Sequence, residues 1–364
     1  MIWTWLLVAC NPIEPLDLPD DPAATGVPVG VRTVQTGGVT FEVWYPATDD
    51  VADEPGETVS LAPFLPTSFT DAVGPVELPP LVTLAVREAA PRNLDAPVPV
   101  VVFSHGFGGF RLQSVDYTTH LASRGYVVIA LDHPGRMMGD ILPCLFSPPL
   151  DGCNLAFGDD PAPAQLTVAA DWVASLPEDD PLAALVDVEH IGLTGHSAGG
   201  GSTGTLGDED ERYDALLPMA YGPTVARDVP MLTMGGSCDG VVRIGDVTAG
   251  EAASTDARLL TIAGAGHLAF SDLCDLDLAG LAADTLDGRD DLNATIYNSL
   301  LSLGTDGCPE RAPDPAVCDD AAYLDLATSA AIVRGASTLF FDAELKGAGP
   351  GLAGFSSDHA TLGE

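Results

Sequence analysis

Apolar positions along the chain fall into short, dense runs separated by polar stretches rich in Gly and Pro. Val39–Tyr45 (VTFEVWY) alternates and is rich in β-formers, which predicts a strand with two unlike faces. Val98–Ser104 (VPVVVFS) and Tyr126–Leu131 (YVVIAL) are continuous apolar runs of strand length, the pattern of strands covered on both sides. His190–Thr194, Tyr213–Ala220, Val229–Met234 and Ala257–Ala263 predict further strands. Residues 113–124 have helical spacing with Val115, Leu121 and Ala122 inward, residues 163–176 read as a helix, and residues 321–346 as a long C-terminal helical region. Strands alternating with helices predict an α/β fold with a mostly parallel central sheet flanked by helices.

The polar stretches set the organisation. Residues 11–30 read as a linker, and 31–350 as a single domain interrupted by insertions at 48–97, 136–160 and 271–320. The first insertion is acidic and Pro-rich, with a short helix expected near Leu81–Glu88. Residues 351–364 read as a flexible tail, and no internal repeat is visible.

Charge narrows the partners. Fourteen Lys+Arg against 53 Asp+Glu give a net charge of −39, with Lys346 the only lysine. Such a chain repels phosphate backbones, which excludes nucleic acid as a partner. The hydrophobic fraction of 46% still supplies a core. The acidic residues concentrate in the linker, the insertions 48–97 and 271–320, and loops such as Gly207–Asp214; the apolar strands are largely spared. An Asp-rich, Lys-poor coat of this kind suits a salty medium, where screening relieves its self-repulsion.

The chain opens on an apolar segment that turns polar at Cys10, and Leu7-Val8-Ala9-Cys10 has the form of a lipobox. Residues 1–10 are therefore read as a lipoprotein signal, though no Lys or Arg precedes the apolar run, and membrane attachment through lipidated Cys10 is expected. Six cysteines follow. Cys144/Cys153 and Cys308/Cys318 form two close pairs without CxxC spacing or a nearby His, so disulfides are a better reading than metal sites. Both features imply an extracytoplasmic location. A monomer is expected, with no cofactor and no metal; no D-x-D-x-D-G loop occurs.

Candidate chemistry centres on Gly195-His196-Ser197-Ala198-Gly199, which fits G-x-S-x-G after an apolar strand and before a small-residue, helix-compatible segment. A sharp strand-to-helix turn there would lift the Ser197 hydroxyl above the sheet, with Gly195 and Gly199 letting the turn close. Serine needs a base to take its proton, and the base needs an orienting carboxylate, in the chain order Ser, acid, His. Beyond the elbow stand His267, in a tight turn at a strand end, and His359, in a Gly/Ser-rich tail; His267 is the expected base. Asp239 follows the Val229–Met234 strand and is the expected acid. Its rivals Asp214 and the Asp208–Glu211 run lie in surface-like context, Asp246 in a helix, and Asp272 after the base. Backbone N–H groups of Ala198 and of Phe107, in the turn His105-Gly106-Phe107-Gly108-Gly109, are the expected oxyanion donors. That turn lacks the Lys-Ser/Thr of a phosphate loop. The two remaining cysteines, Cys238 beside the acid and Cys274 seven residues after the base, are expected to pair with each other.

With these residues in view, the chain resembles the bacterial dienelactone-hydrolase-like group related to platelet-activating-factor acetylhydrolase, within the α/β-hydrolase superfamily. The resemblance rests on Val43-Trp44-Tyr45-Pro46, VVVFSHGFGG at 100–109, LASRGYVVIALDHPG at 121–135, IGLTGHSAGG at 191–200 and His267–Asp272, and covers most of residues 39–275. It implies Ser197, Asp239 and His267 as triad and Phe107 and Ala198 as oxyanion donors. True dienelactone hydrolases carry Cys at the elbow; Ser197 points to ester hydrolysis instead. The spacing, the Gly199-Gly200-Gly201 run and the expected Cys238–Cys274 link are also similar to cutinase-like polyesterases. The acidic insertions and extra cysteines depart from both groups. The expectation is a serine ester hydrolase acting on neutral esters, whether short-acyl, lipid or polyester. A phospholipase-like acetylhydrolase or acyltransferase of the same fold, and a catalytically silent lipid-anchored binding protein, stand as alternatives.

Overall fold

The computed structural model describes residues 26–155, 160–276, 285–286, 288–295 and 323–363, with the side chains of 275 and 276 excepted. Cys10, Cys308, Cys318 and most of the 271–320 insertion lie outside the described residues.

The strands are β1 (Val29–Thr36), β2 (Val39–Pro46), β3 (Thr58–Val59), β4 (Leu81–Val82), β5 (Ala85–Arg87), β6 (Val98–Ser104), β7 (Val127–Leu131), β8 (Val186–His196), β9 (Tyr213–Met219), β10 (Met231–Gly236), β11 (Ala257–Ile262) and β12 (Ala360–Leu362). The helices are α1 (Thr67–Val73), α2 (Val115–Ser123), α3 (Met138–Ile141), α4 (Ala162–Ala174), α5 (Ala198–Glu209), α6 (Ile244–Ala252) and α7 (Leu326–Lys346). Ten strands form one sheet in the order β12-β11-β10-β9-β8-β6-β7-β2-β1-β5, and β3 and β4 pair apart from it. From β7 to β11 the pairings are parallel; β1, β2 and β12 add antiparallel contacts towards the edges.

Continuous apolar runs form the middle of this sheet because both faces are covered. On β6, Val101 and Phe103 join one core and Val100 and Val102 the other; β7 divides in the same way. Helices α2 and α7 contribute Leu121, Ile332 and Phe341 to the first core. Helices α4 and α5 contribute Leu166, Val173 and Leu206 to the second. Full burial of such a side chain contributes about 1.5–3 kcal/mol, so the covered sheet centre is strongly held.

Three expectations need correction. The 81–88 segment is extended, not helical: Ala85–Arg87 pairs in parallel with Val29–Val31, and the helix of this insertion lies at Thr67–Val73. The linker ends sooner than expected, since Val29 and Gly30 already belong to β1. The tail carries β12, which pairs antiparallel with β11 and so covers the edge that β11 would otherwise leave open. Among the described residues no helix is long and apolar enough to cross a membrane.

Candidate active site

Parallel strands open their C-terminal ends to one rim, where ligand sites of α/β sheets collect. The loops after β6, β8, β10 and β11 meet there, with those after β7 and β9 beside them. β6 and β8 are neighbours, so topology alone sets the Gly-rich turn 105–109 beside the elbow 195–199.

At the elbow, Ser197 has φ 55° and ψ −120°, a conformation L-residues rarely adopt, directly before α5. It persists because its surroundings leave no alternative. A Cβ on Gly199 would lie 2.0 Å from the Ser104 carbonyl oxygen, and one on Gly195 2.5 Å from the Gly199 backbone. The Ser197 N–H donates to the Met219 carbonyl at the end of β9 at 2.8 Å. The small residues of the motif are thus required by backbone approach, as its spacing predicts.

Ser197, His267 and Asp239 come together. The Asp239 carboxylate accepts from His267 Nδ1 at 2.8 Å through one oxygen, and its other oxygen accepts from the Val241 and Val242 N–H groups at 2.9 and 2.7 Å. With Nδ1 donating, Nε2 carries the lone pair, and the Ser197 hydroxyl donates to it at 2.9 Å. The His267 and Asp239 side chains are 2% and 0% exposed, so neither the candidate base nor the carboxylate beside it has water to compete for its bond. The rivals fall elsewhere. Asp214 accepts from Ile191 N–H at the foot of β8, Asp246 sits in α6, and His359 is exposed.

The oxyanion candidates lie on either side of Ser197. Ala198 is the first residue of α5, where helix amides point outward. Phe107 sits between two anchored amides: Gly106 N–H donates to the Gln113 side-chain oxygen at 2.9 Å, and Gly108 N–H to the Arg136 carbonyl at 2.9 Å. The Phe107 side chain is 38% exposed, as is Tyr221, which packs against the first turn of α5.

Sequence reasoning missed the polar layer beneath these loops. Arg136 is 4% exposed and donates to Asp160, Ser202, Ser104 and the His105 carbonyl, tying the Gly-rich turn to α5. His133 Nδ1 donates to Gln165, and its Nε2 accepts from Ser104. His105 Nδ1 donates to the Gly106 carbonyl, and its Nε2 accepts from His133 N–H. Burial first, and the Arg136 charge second, hold both rings well below the ordinary histidine pKa. His196 is held down to about 3 by burial and the neighbouring His267 ring. The sequence carried one signal for this layer, namely His, Arg and Gln set among apolar residues beside Gly turns.

Cys144 and Cys153 are bonded, as their spacing predicts. Cys238 and Cys274 are also both disulfide-bonded, which leaves neither as a thiol nucleophile. Among the described residues no three His, Cys, Asp or Glu side chains converge as metal ligands.

Comparison with known proteins adds to this geometry. Residues 71–137 match the family described as platelet-activating factor acetylhydrolase, isoform II, a stretch that includes the 105–109 turn and ends before Ser197. No curated protein matches the chain. A ferulic acid esterase from Streptomyces cinnamoneus, solved at 2.4 Å, superposes over 97% of this chain and 98% of its own with a TM-score of 0.60 at 23% identity. The chain has the α/β-hydrolase fold, and its likeness to platelet-activating-factor acetylhydrolases, read first from sequence, recurs in an independent comparison.

Proposed function

We propose that this chain is a serine carboxylic-ester hydrolase acting through an acyl-enzyme on neutral esters. The observation that carries the reading is the unbroken line of hydrogen bonds Ser197–His267–Asp239 on a strained elbow. Ser197 Oγ attacks the ester carbonyl as its proton passes to His267 Nε2. Asp239 keeps the proton on Nδ1 and stabilises the imidazolium. The Phe107 and Ala198 amides receive the oxyanion. His267 returns the proton to the leaving alcohol, and water, activated by the same His267, releases the acid.

A net charge of −39 disfavours anionic substrates at long range. Exposed Phe107 and Tyr221 beside the nucleophile favour an apolar or aromatic acyl group, and the structural neighbour is a ferulic acid esterase. The similarity of residues 71–137 to acetylhydrolases supports a second reading, release of a short acyl chain from a phospholipid. The Cys144–Cys153 disulfide supports an extracytoplasmic site of action, and a lipidated Cys10 would hold the enzyme at a membrane surface.

The test is a panel of p-nitrophenyl esters of rising acyl length, a hydroxycinnamate ester, a 2-acetyl phospholipid and a polyester film, each with a Ser197→Ala control. The reading expects hydrolysis of at least one class by the parent and background rates in the control. Equal rates in both, or none in either, would overturn it.

A further inference from the structure

Gln113 touches three rim segments at once. Its side-chain oxygen accepts from Gly106 N–H in the turn after β6 at 2.9 Å. Its amide nitrogen lies 3.0 Å from Nδ1 of His196, the residue before the nucleophile. Its main-chain carbonyl accepts from Asp272 N–H, in the loop that carries His267, at 3.0 Å. Asp272 in turn accepts from Asp116 N–H at the first turn of α2, which docks the base loop on that helix.

The proton positions follow one from another. Gly106 N–H can only donate, so the oxygen of the Gln113 amide must face it and the NH2 must face His196. Nδ1 of His196 therefore accepts, and its one ring proton sits on Nε2. Nε2 lies 2.9 Å from the main-chain oxygen of His267, an acceptor. Hydrogen bonds thus run from Gly106 through Gln113 and His196 to His267, each pairing a donor with an acceptor. Gln113 is 1% exposed and His196 2%, so water cannot replace a lost member. The His196 ring also lies 4.9 Å from the His267 ring.

We propose that Gln113 and His196 are positioning residues that hold the oxyanion turn, the nucleophile elbow and the base loop in one register. The role they serve rests on the hydrolase reading. Gly106 precedes Phe107, so the Gln113 bond aims the Phe107 amide, and the His196 bond fixes the backbone of the base itself. Both side chains are buried, so each acts through the backbone it holds. A shift of about 1 Å in such a constellation can cost about 100-fold in rate.

The test compares Gln113→Met, which removes donor and acceptor at similar volume, with Gln113→Glu, which keeps an acceptor for Gly106 but offers His196 no N–H. Active sites are titrated with a fluorophosphonate, kcat and KM are taken per titrated site, and Ki is measured for a trifluoromethyl ketone whose adduct puts an oxyanion in the same hole. Hydrogen exchange of the 105–110 segment reads the clasp without catalysis. For Gln113→Met the expected result is exchange faster by about tenfold, kcat lower by about 10- to 100-fold with KM within about twofold, and Ki weakened in step with kcat/KM. Gln113→Glu should fall between it and the parent. Parent-like exchange in Gln113→Met, or a loss wholly explained by fewer titratable sites, would overturn the proposal. If the parent itself hydrolysed no ester, the hydrolase reading would fail while the exchange experiment still decided the clasp.

Discussion

The candidate active-site rim and the 48–97 excursion use the same side chains to opposite ends. On the rim, Asp239 is shut away from solvent and fills both oxygens, with a ring N–H on one and two backbone amides on the other. In the excursion, Asp49 pairs with Arg92 at the surface, where the arginine holds its carboxyl below the usual range but salt and water screen the bond. Arg87, partly exposed, bridges Glu42 and Glu57 and anchors the excursion to β2. The difference is one of burial. Where water is excluded, each bond fixes a geometry that chemistry needs; where it is not, the charge chiefly keeps the surface hydrated.

This contrast predicts that changes to Ser197 and Asp239 remove rate and spare stability, and that peripheral changes do the reverse. The largest effect is expected from Ser197→Ala, which should lower kcat by about 10⁶-fold while thermal unfolding stays close to that of the parent. Asp239→Asn should cost about 10⁴-fold, because an amide in place of the carboxylate no longer holds the His267 proton on Nδ1. Parent-like kcat in this variant, measured on the best ester of the panel, would take Asp239 out of the mechanism.

Acid should act on stability through the buried histidines. His105 and His196 each have a ring nitrogen facing an amide N–H, so neither can take a second proton without setting two donors together, and a protonated His133 would stand against the Arg136 charge. Burial lowers all three, and holds His120 at about 3. The unfolded chain binds protons at these sites near pH 6.5 and the folded chain does not, so stability rises with pH across the window between the folded and unfolded values. Falling pH below about 6.5 should therefore destabilise the fold by up to about 1.4 kcal/mol per pH unit for each ring. Thermal unfolding at about pH 7 and about pH 5 measures this. A midpoint independent of pH over that range would show that the rings protonate in place.

At the periphery, Cys144→Ser with Cys153→Ser opens a loop with a sequence separation of 9 and should cost about 2–3 kcal/mol. Fluorophosphonate labelling of Ser197 in the surviving folded fraction should be unchanged. The smallest effect is expected from salt. Screening of a net charge of −39 should raise the unfolding midpoint by a few degrees from low to molar NaCl, with little change in kcat.

Legibility in the sequence followed locality. β6, β7 and the elbow could be read because an apolar run followed by Gly is a local statement, and Ser197, His267 and Asp239 each end such a run. β1 could not, since VGVRTVQT mixes polar and apolar residues, and its partners on either side lie in β2 and β5. Ala85–Arg87 offered helix-like spacing, but pairing with β1 overrode that preference. β12 is three residues long and exists because the edge of β11 was free. Gln113 was invisible for the same reason: Gly106, His196 and Asp272 become its neighbours only when three loops meet.

The central claim is that Ser197 is a nucleophile activated by His267. Intact-mass and peptide analysis after exposure to a fluorophosphonate tests it most directly. The account predicts one adduct per chain, on Ser197, absent from Ser197→Ala and strongly slowed in His267→Ala. An unlabelled parent, or an adduct that persists in Ser197→Ala, would contradict it.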